Sequence, residues 1–174
     1  MGKVIDLNPV TRLTTGAVGK PGGRVFYLQG DTGKDRVTLI CEKQQVQSLG
    51  VGIEQFLHDL QRKFPDLLTP VGSYFEADME LQEPLEPLFR VGELGLGYDE
   101  DADRVILVAS EAQAEGANPD DAMTVRYWAS RSQMLAMAQW GLNVAEKGRP
   151  LCGNCLQPID PDGHFCPRRN GHKY

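Results

Sequence analysis

Apolar positions along this chain recur with two different periods, and the switches between them mark its elements. Arg24-Val-Phe-Tyr-Leu-Gln29 is rich in β-branched and aromatic residues, residues 30–34 supply turn formers, and Val37-Thr-Leu-Ile-Cys-Glu42 alternates as a half-buried strand does. The stretch 24–42 therefore predicts a β-hairpin. From residue 43 the period changes to three and four: Val46, Leu49, Ile53, Phe56, Leu57, Leu60 and Phe64 form one apolar stripe, which predicts an amphipathic helix over 43–64, ended by Pro65. Gly50 and Gly52 each weaken such a helix by about 1 kcal/mol relative to alanine. They mark either a close packing contact or a break.

The pattern then repeats. Strands are predicted at 88–98 and 104–110, joined by the turn Asp99-Glu-Asp-Ala-Asp103, and a third at 123–129 after the Gly116-Ala-Asn-Pro119 loop. A last helix starts at Ser130, where Ser130 and Gln133 match a capping box, and Gly148 with Pro150 stops it near residue 147. Ahead of all this lie a short apolar stretch (Val4, Ile5, Leu7) and a glycine-rich run, 16–23, which predicts a loop. Between the halves, residues 76–89 carry five acidic side chains and no lysine or arginine before the final prolines, as a connection would.

Strands running directly into a helix occur twice, at Cys41-Glu-Lys-Gln-Gln-Val46 and Ala129-Ser-Arg-Ser-Gln-Met134. The expected class is α+β: an antiparallel sheet covered on one face by two main helices, with a C-terminal zinc ribbon. The body spans 1–147, as two related halves of about 1–75 and 88–147, and the tail spans 148–174.

Composition narrows the setting. The chain has 174 residues, 41% hydrophobic and 24% charged, which is an ordinary globular balance. No run approaches the roughly 18 apolar residues of a membrane helix. Met1-Gly-Lys-Val-Ile-Asp6 lacks the apolar core of a secretory signal, so a cytoplasmic protein is expected. The net charge of −6 is uneven. Residues 148–174 carry Arg149, Arg168, Arg169 and Lys173 against Asp160 and Asp162, two net positive charges, which leaves eight net negative on the rest. The body repels an anionic partner; the tail would meet one.

The tail also holds the most specific chemistry. Three of the four cysteines lie there, in Cys152-x-x-Cys155 and Cys166, a clustering that points to metal rather than disulfides in a reducing compartment. Two thiolates separated by two residues reach one tetrahedral zinc ion, Asp160-Pro-Asp-Gly163 turns the chain back, and Cys166 supplies a third. The fourth ligand is His164, which shares an extended-strand face with Cys166, or His172, which Asn170-Gly171 can fold back. Four protein ligands close the site, so the zinc is expected to be structural. Cys-x-x-Cys followed by Pro-x-Asp-Pro-x-Gly-His-x-Cys-Pro-Arg-x-Asn-Gly resembles the C-terminal signature of a bacterial, chiefly actinobacterial, family of undefined function. Phe26-Tyr-Leu-Gln29 and Glu42-Lys-Gln-Gln-Val46 extend the resemblance over nearly the whole chain. It tilts the fourth ligand towards His164 and implies no established activity.

Elsewhere, tempting motifs fail on spacing. Gly16-Ala-Val-Gly-Lys-Pro lacks the four-residue gap and the Ser or Thr of a phosphate loop. Asp99, Asp101 and Asp103 open like a calcium loop, but Arg104 stands where glycine is required and Ser110 where glutamate is. Cys41 reads as a buried, inert thiol, His58 as a surface residue, and Trp128 and Trp140 as packing residues. Glu42-Lys-Gln-Gln45 reads first as helix initiation with its glutamines and lysine exposed; the other reading is that it lines a cleft if the halves bring Arg126 and Arg131 beside it. The functional expectation is a non-enzymatic binding or adaptor protein that engages a protein partner, with the ribbon as a second contact surface. The alternatives are nucleic-acid binding through Arg168, Arg169 and Lys173, and an unfamiliar enzyme acting on an anionic small molecule.

Overall fold

The computed structural model describes residues 2–20 and 22–146. Its strands are β1 (Val4–Leu7), β2 (Arg12–Val18), β3 (Val25–Asp31), β4 (Arg36–Cys41), β5 (Pro87–Asp99), β6 (Arg104–Glu111) and β7 (Thr124–Ala129), with helices α1 (Lys43–Lys63) and α2 (Arg131–Glu146). The two hairpins and both helices stand where the periodicity places them. Two expectations need correcting. β2 runs into the glycine-rich stretch as far as Val18, because Gly16 is the small residue that admits the Leu81 side chain; a Cβ there would lie 2.7 Å from Leu81 Cγ. The sheet is also mixed, not antiparallel: β1 runs parallel to β7 and β4 parallel to β5. A helical crossover after a strand returns the chain in its original direction, which is how β5 arrives parallel to β4.

The strand order is β1-β7-β6-β5-β4-β3-β2, yet only residues 8–11 separate β1 from β2. A flat sheet would hold its outermost strands ~29 Å apart at ~4.8 Å per strand, whereas five chain steps reach at most ~18 Å. The sheet therefore curls until its ends meet at this crossing. There the Val10 N–H donates to the Trp128 carbonyl of β7 (2.8 Å) and the Thr11 N–H to the Asp31 carbonyl of β3 (2.7 Å). Tyr127, fully buried, lies over Gly30, where a Cβ would come within 2.5 Å of the ring, and its hydroxyl donates to the Val37 carbonyl (3.2 Å).

The body is two runs of three strands and a helix with one register. Leu13 faces Gly30 and Thr15 faces Leu28 in the first run; Leu94 faces Ala109 and Leu96 faces Leu107 in the second. Phe26–Cys41 and Leu28–Leu39 have their counterparts in Val105–Ala129 and Leu107–Tyr127. β5 is one bent strand that does the work of β1 and β2 together, pairing first with β4 and then with β6. The helices follow at an offset of 88 residues and pack on each other through Gly50, where a Cβ would meet Leu142 Cγ at 2.7 Å and the Ala138 carbonyl oxygen at 3.1 Å. Gly50 is thus a packing contact, and α1 is unbroken.

The acidic connection is bound to the sheet along its length. Thr14 Oγ1 donates to the Met79 carbonyl (2.6 Å), Arg12 to that of Glu80 (3.0 Å) and Arg36 to that of Glu83 (3.3 Å). Buried Gln29 completes the seam by accepting from the Gln82 N–H (2.8 Å) and donating to the Gln82 carbonyl (3.0 Å).

Candidate functional site

The first turn of each helix anchors the site. Ser130 and Gln133 close the expected capping box: the Gln133 N–H donates to Ser130 Oγ (3.0 Å) and the Ser130 N–H to Gln133 Oε1 (2.8 Å). The Glu42 N–H likewise donates to Gln45 Oε1 (2.8 Å). Each glutamine then turns its amide to backbone carbonyls, Gln133 to the crossing between β1 and β2 and Gln45 to the irregular part of β5. Gln133 Nε2 donates to the Val10 and Thr11 carbonyls (3.1 and 3.5 Å), and Gln45 Nε2 to those of Val91 and Gly92 (3.1 and 3.5 Å).

Beyond this shared anchor the halves differ. α2 lies close along β2, and Trp140 fills the space between them, 7% exposed, with its indole Nε1–H donating to the Thr15 carbonyl (2.7 Å). The equivalent of Trp140 in α1 is Gly52, and the equivalent of Thr15 is Leu96. An ideal Cβ on Gly52 would meet nothing within 4 Å. The result is a groove of about 530 Å³, walled on one side by Glu42, Gln44, Gln45, Ser48, Leu49 and Gly52 and on the other by Gly92, Leu94, Gly95 and Leu96. Its floor is apolar, through Leu49, Leu94 and Leu96. Its rim is amide, hydroxyl and carboxylate.

Glu42, Gln44 and Gln45 thus line a cleft rather than only opening the helix, but Arg126 and Arg131 are engaged elsewhere. Arg126 is bidentate on Asp6 (2.6 and 2.7 Å), which also accepts from Trp128 Nε1 (2.9 Å); the guanidinium holds the Asp6 carboxyl below its ordinary range. Arg131 pairs with Asp103 (2.9 Å), which the Tyr98 hydroxyl joins (2.7 Å), and this guanidinium lowers the Asp103 pKa. Burial, with Asp103 beside it, pushes the Tyr98 hydroxyl up to about 12. Asp103 is therefore the centre of an ion-pair cluster, more than a turn residue. The cation beside the groove is Arg90, 2.7 Å from Glu42 and largely exposed. The repeated sequence at 42–46 and 130–134 was the available signal for this groove; what it did not supply was the opposite wall at Gly92–Leu96, because the neighbours of β5 follow only from the fold.

Cys41 is buried beneath α1, and burial first, then the Glu42 carboxylate, pushes its thiol up to about 12. His58 is exposed on α1. A second hollow, about 420 Å³, lies beside Gly16, Gly19, Arg24, Leu81 and Trp140, so part of the glycine-rich run borders open space. Among the described residues no group of three or more His, Cys, Asp or Glu side chains could hold a metal ion, and no helix is long and apolar enough to cross a membrane. The expected zinc ligands Cys152, Cys155, His164, Cys166 and His172, and the basic residues Arg168, Arg169 and Lys173, lie outside the described residues.

The family model described as protein of unknown function (DUF3090) matches residues 5–166, a span that takes in Cys152, Cys155, His164 and Cys166. No curated protein and no solved structure matches the chain.

Proposed function

The chain belongs to that family of unknown function, and we propose that it is a non-enzymatic binding or adaptor protein. The groove between α1 and β5 receives a side chain of a protein partner, and a zinc-holding tail, with Cys152, Cys155, Cys166 and His164 or His172 as ligands, offers a second contact surface. The observation that carries this reading is the open position at Gly52, where the other half of the same fold holds Trp140. The filled half supplies a template for the occupant: a flat aromatic ring that is buried against helix and strand and donates a hydrogen bond to a strand carbonyl. By register Leu96 corresponds to Thr15, whose carbonyl accepts from the indole. Aromatic anchors in small desolvated slots are where protein interfaces concentrate their binding energy. The amide and hydroxyl rim, with Gln44 and Ser48, suits the polar flanks of a peptide segment better than a nucleic acid, and the body's negative charge favours the same choice.

The test uses the full chain, tagged and recovered from its own cells, beside a Gly52→Trp variant. Proteins recovered with the wild type and lost with Gly52→Trp support the reading. Identical recoveries with both exclude the groove as the contact.

A further inference from the structure

One edge of β5 changes its partner along its length. β4 pairs with it as far as Arg90, opposite Ile40. Gln45 Nε2 then takes the Val91 and Gly92 carbonyls (3.1 and 3.5 Å). From Glu93 to Tyr98 the strand pairs with β6 alone. An antiparallel ladder uses the N–H and C=O of every second residue, and those of the residues between point away from it. Among the described residues no side chain or loop bonds to the outward groups of 93–98. The matching edge of β2 is closed: α2 lies close along it, and the Thr15 carbonyl accepts from Trp140 Nε1 (2.7 Å).

The groove opens on this free edge. Gly92, Leu94, Gly95 and Leu96 all line it. Neighbouring side chains of a strand point to opposite faces, so a cavity touching four of five consecutive residues lies against the backbone edge. Exposed edges are commonly guarded by lysine, proline or a covering segment. Glu93-Leu-Gly-Leu-Gly-Tyr98 has no lysine, arginine or proline. Neither Gly95 nor Gly97 has a positive φ, a Cβ on Gly95 would meet nothing within 4 Å, and one on Gly97 would meet only Ile106 Cβ at 4.0 Å. Backbone conformation and packing among the described residues therefore do not require glycine at either position, whereas close approach of another backbone favours it. Arg90 is committed to Glu42, and exposed Glu93 makes no ion pair among the described residues. The uncompensated charge on the edge is negative.

We infer that the partner enters the groove as an extended peptide strand, pairing its backbone with β5 between Glu93 and Tyr98 on the side that β4 has left. A lysine or arginine of the peptide stands opposite Glu93, since opposite charges across paired strands attract. Its residues on the face of Leu94 and Leu96 are apolar, and one of them is the ring that fills the space beside Gly52. Main-chain bonds supply affinity in such an added strand, and the pockets for alternate side chains supply selectivity. The inference rests on the groove being the partner contact and specifies how the partner's backbone is held.

A phage-displayed library of random linear peptides, selected on the full chain, tests it. The expected result is peptides that bind the wild type, are lost with Gly52→Trp, and carry a lysine or arginine beside alternating apolar residues. Methylating their backbone amides one at a time should lower affinity ~10-fold or more at every second position within the paired stretch and leave the positions between nearly unchanged. Glu93→Gln should weaken the same peptides ~2–5-fold. Absence of alternation, or indifference to Glu93→Gln, in peptides that are lost with Gly52→Trp overturns the inference and leaves the groove as the contact. A selection that yields no peptide sensitive to Gly52→Trp overturns both.

Discussion

Trp140 and Gly52 hold the same position in the two halves of one fold, and the indole that closes the first position is absent from the second. Leu94 and Leu96 on β5 and Leu49 on α1 are consequently left half-buried, facing open space. Helix glycine is costly, by about 1 kcal/mol against alanine. The protein carries that cost at a position with room for a side chain.

Gly52→Trp should fold and be at least as stable as the wild type. It removes a helix glycine, meets no atom within 4 Å at its Cβ, and covers apolar surface. Thermal unfolding should show an unchanged or higher midpoint. The reverse change, Trp140→Gly, should cost about 3–5 kcal/mol for the lost ring plus about 1 for the glycine, and chemical denaturation measures it.

Gln45→Ala and Gln133→Ala should each cost about 1–2 kcal/mol, because each removes a capping-box hydrogen bond and a tie to backbone carbonyls, on β5 for Gln45 and at the β1–β2 crossing for Gln133. Similar values for the two would reflect their matched geometry. A cost confined to one would show that only that half depends on the tie.

Much of this was legible in the chain itself. The hairpin at 24–42, the helix over 43–64 and the capping box at Ser130 rest on local periodicity and local hydrogen bonds, which a sequence displays directly. The parallel pairs were not legible. Nothing around Val4–Leu7 indicates that this stretch pairs with Thr124–Ala129, since that contact spans 120 residues and depends on the sheet curling shut. The groove was half legible: segment 42–45 was recognisable as polar, but its opposite wall at Gly92–Leu96 follows only from where β5 lies.

Acid should weaken the fold through Asp6 and Asp103. Both folded pKa values are lowered by arginine partners, so their contribution is present above the unfolded value of 3.8 and is lost as pH falls through the folded values. Asp6→Asn and Asp103→Asn should each flatten the fall in stability below about pH 4, as measured by urea unfolding over a pH series.

Cys41 should resist alkylation in the native protein, since its thiol is buried and pushed up to about 12. Iodoacetamide followed by peptide mass spectrometry should label it only after denaturation. Rapid native labelling at pH 7 would place it at an accessible surface.

Zinc should accompany the full chain at about one ion per molecule, and Cys152→Ser with Cys155→Ser should abolish it without lowering the unfolding midpoint of the body. Elemental analysis and calorimetry on the same samples decide both points.

The groove beside Gly52 is the proposed contact for a partner. Isothermal titration of the recovered partner against wild type and Gly52→Trp tests this most directly, with each protein's unfolding midpoint measured alongside. The predicted result is affinity reduced at least ~100-fold, equivalent to about 2.7 kcal/mol, in a variant that melts no lower than the wild type. Equal affinity in an equally well-folded Gly52→Trp would contradict it.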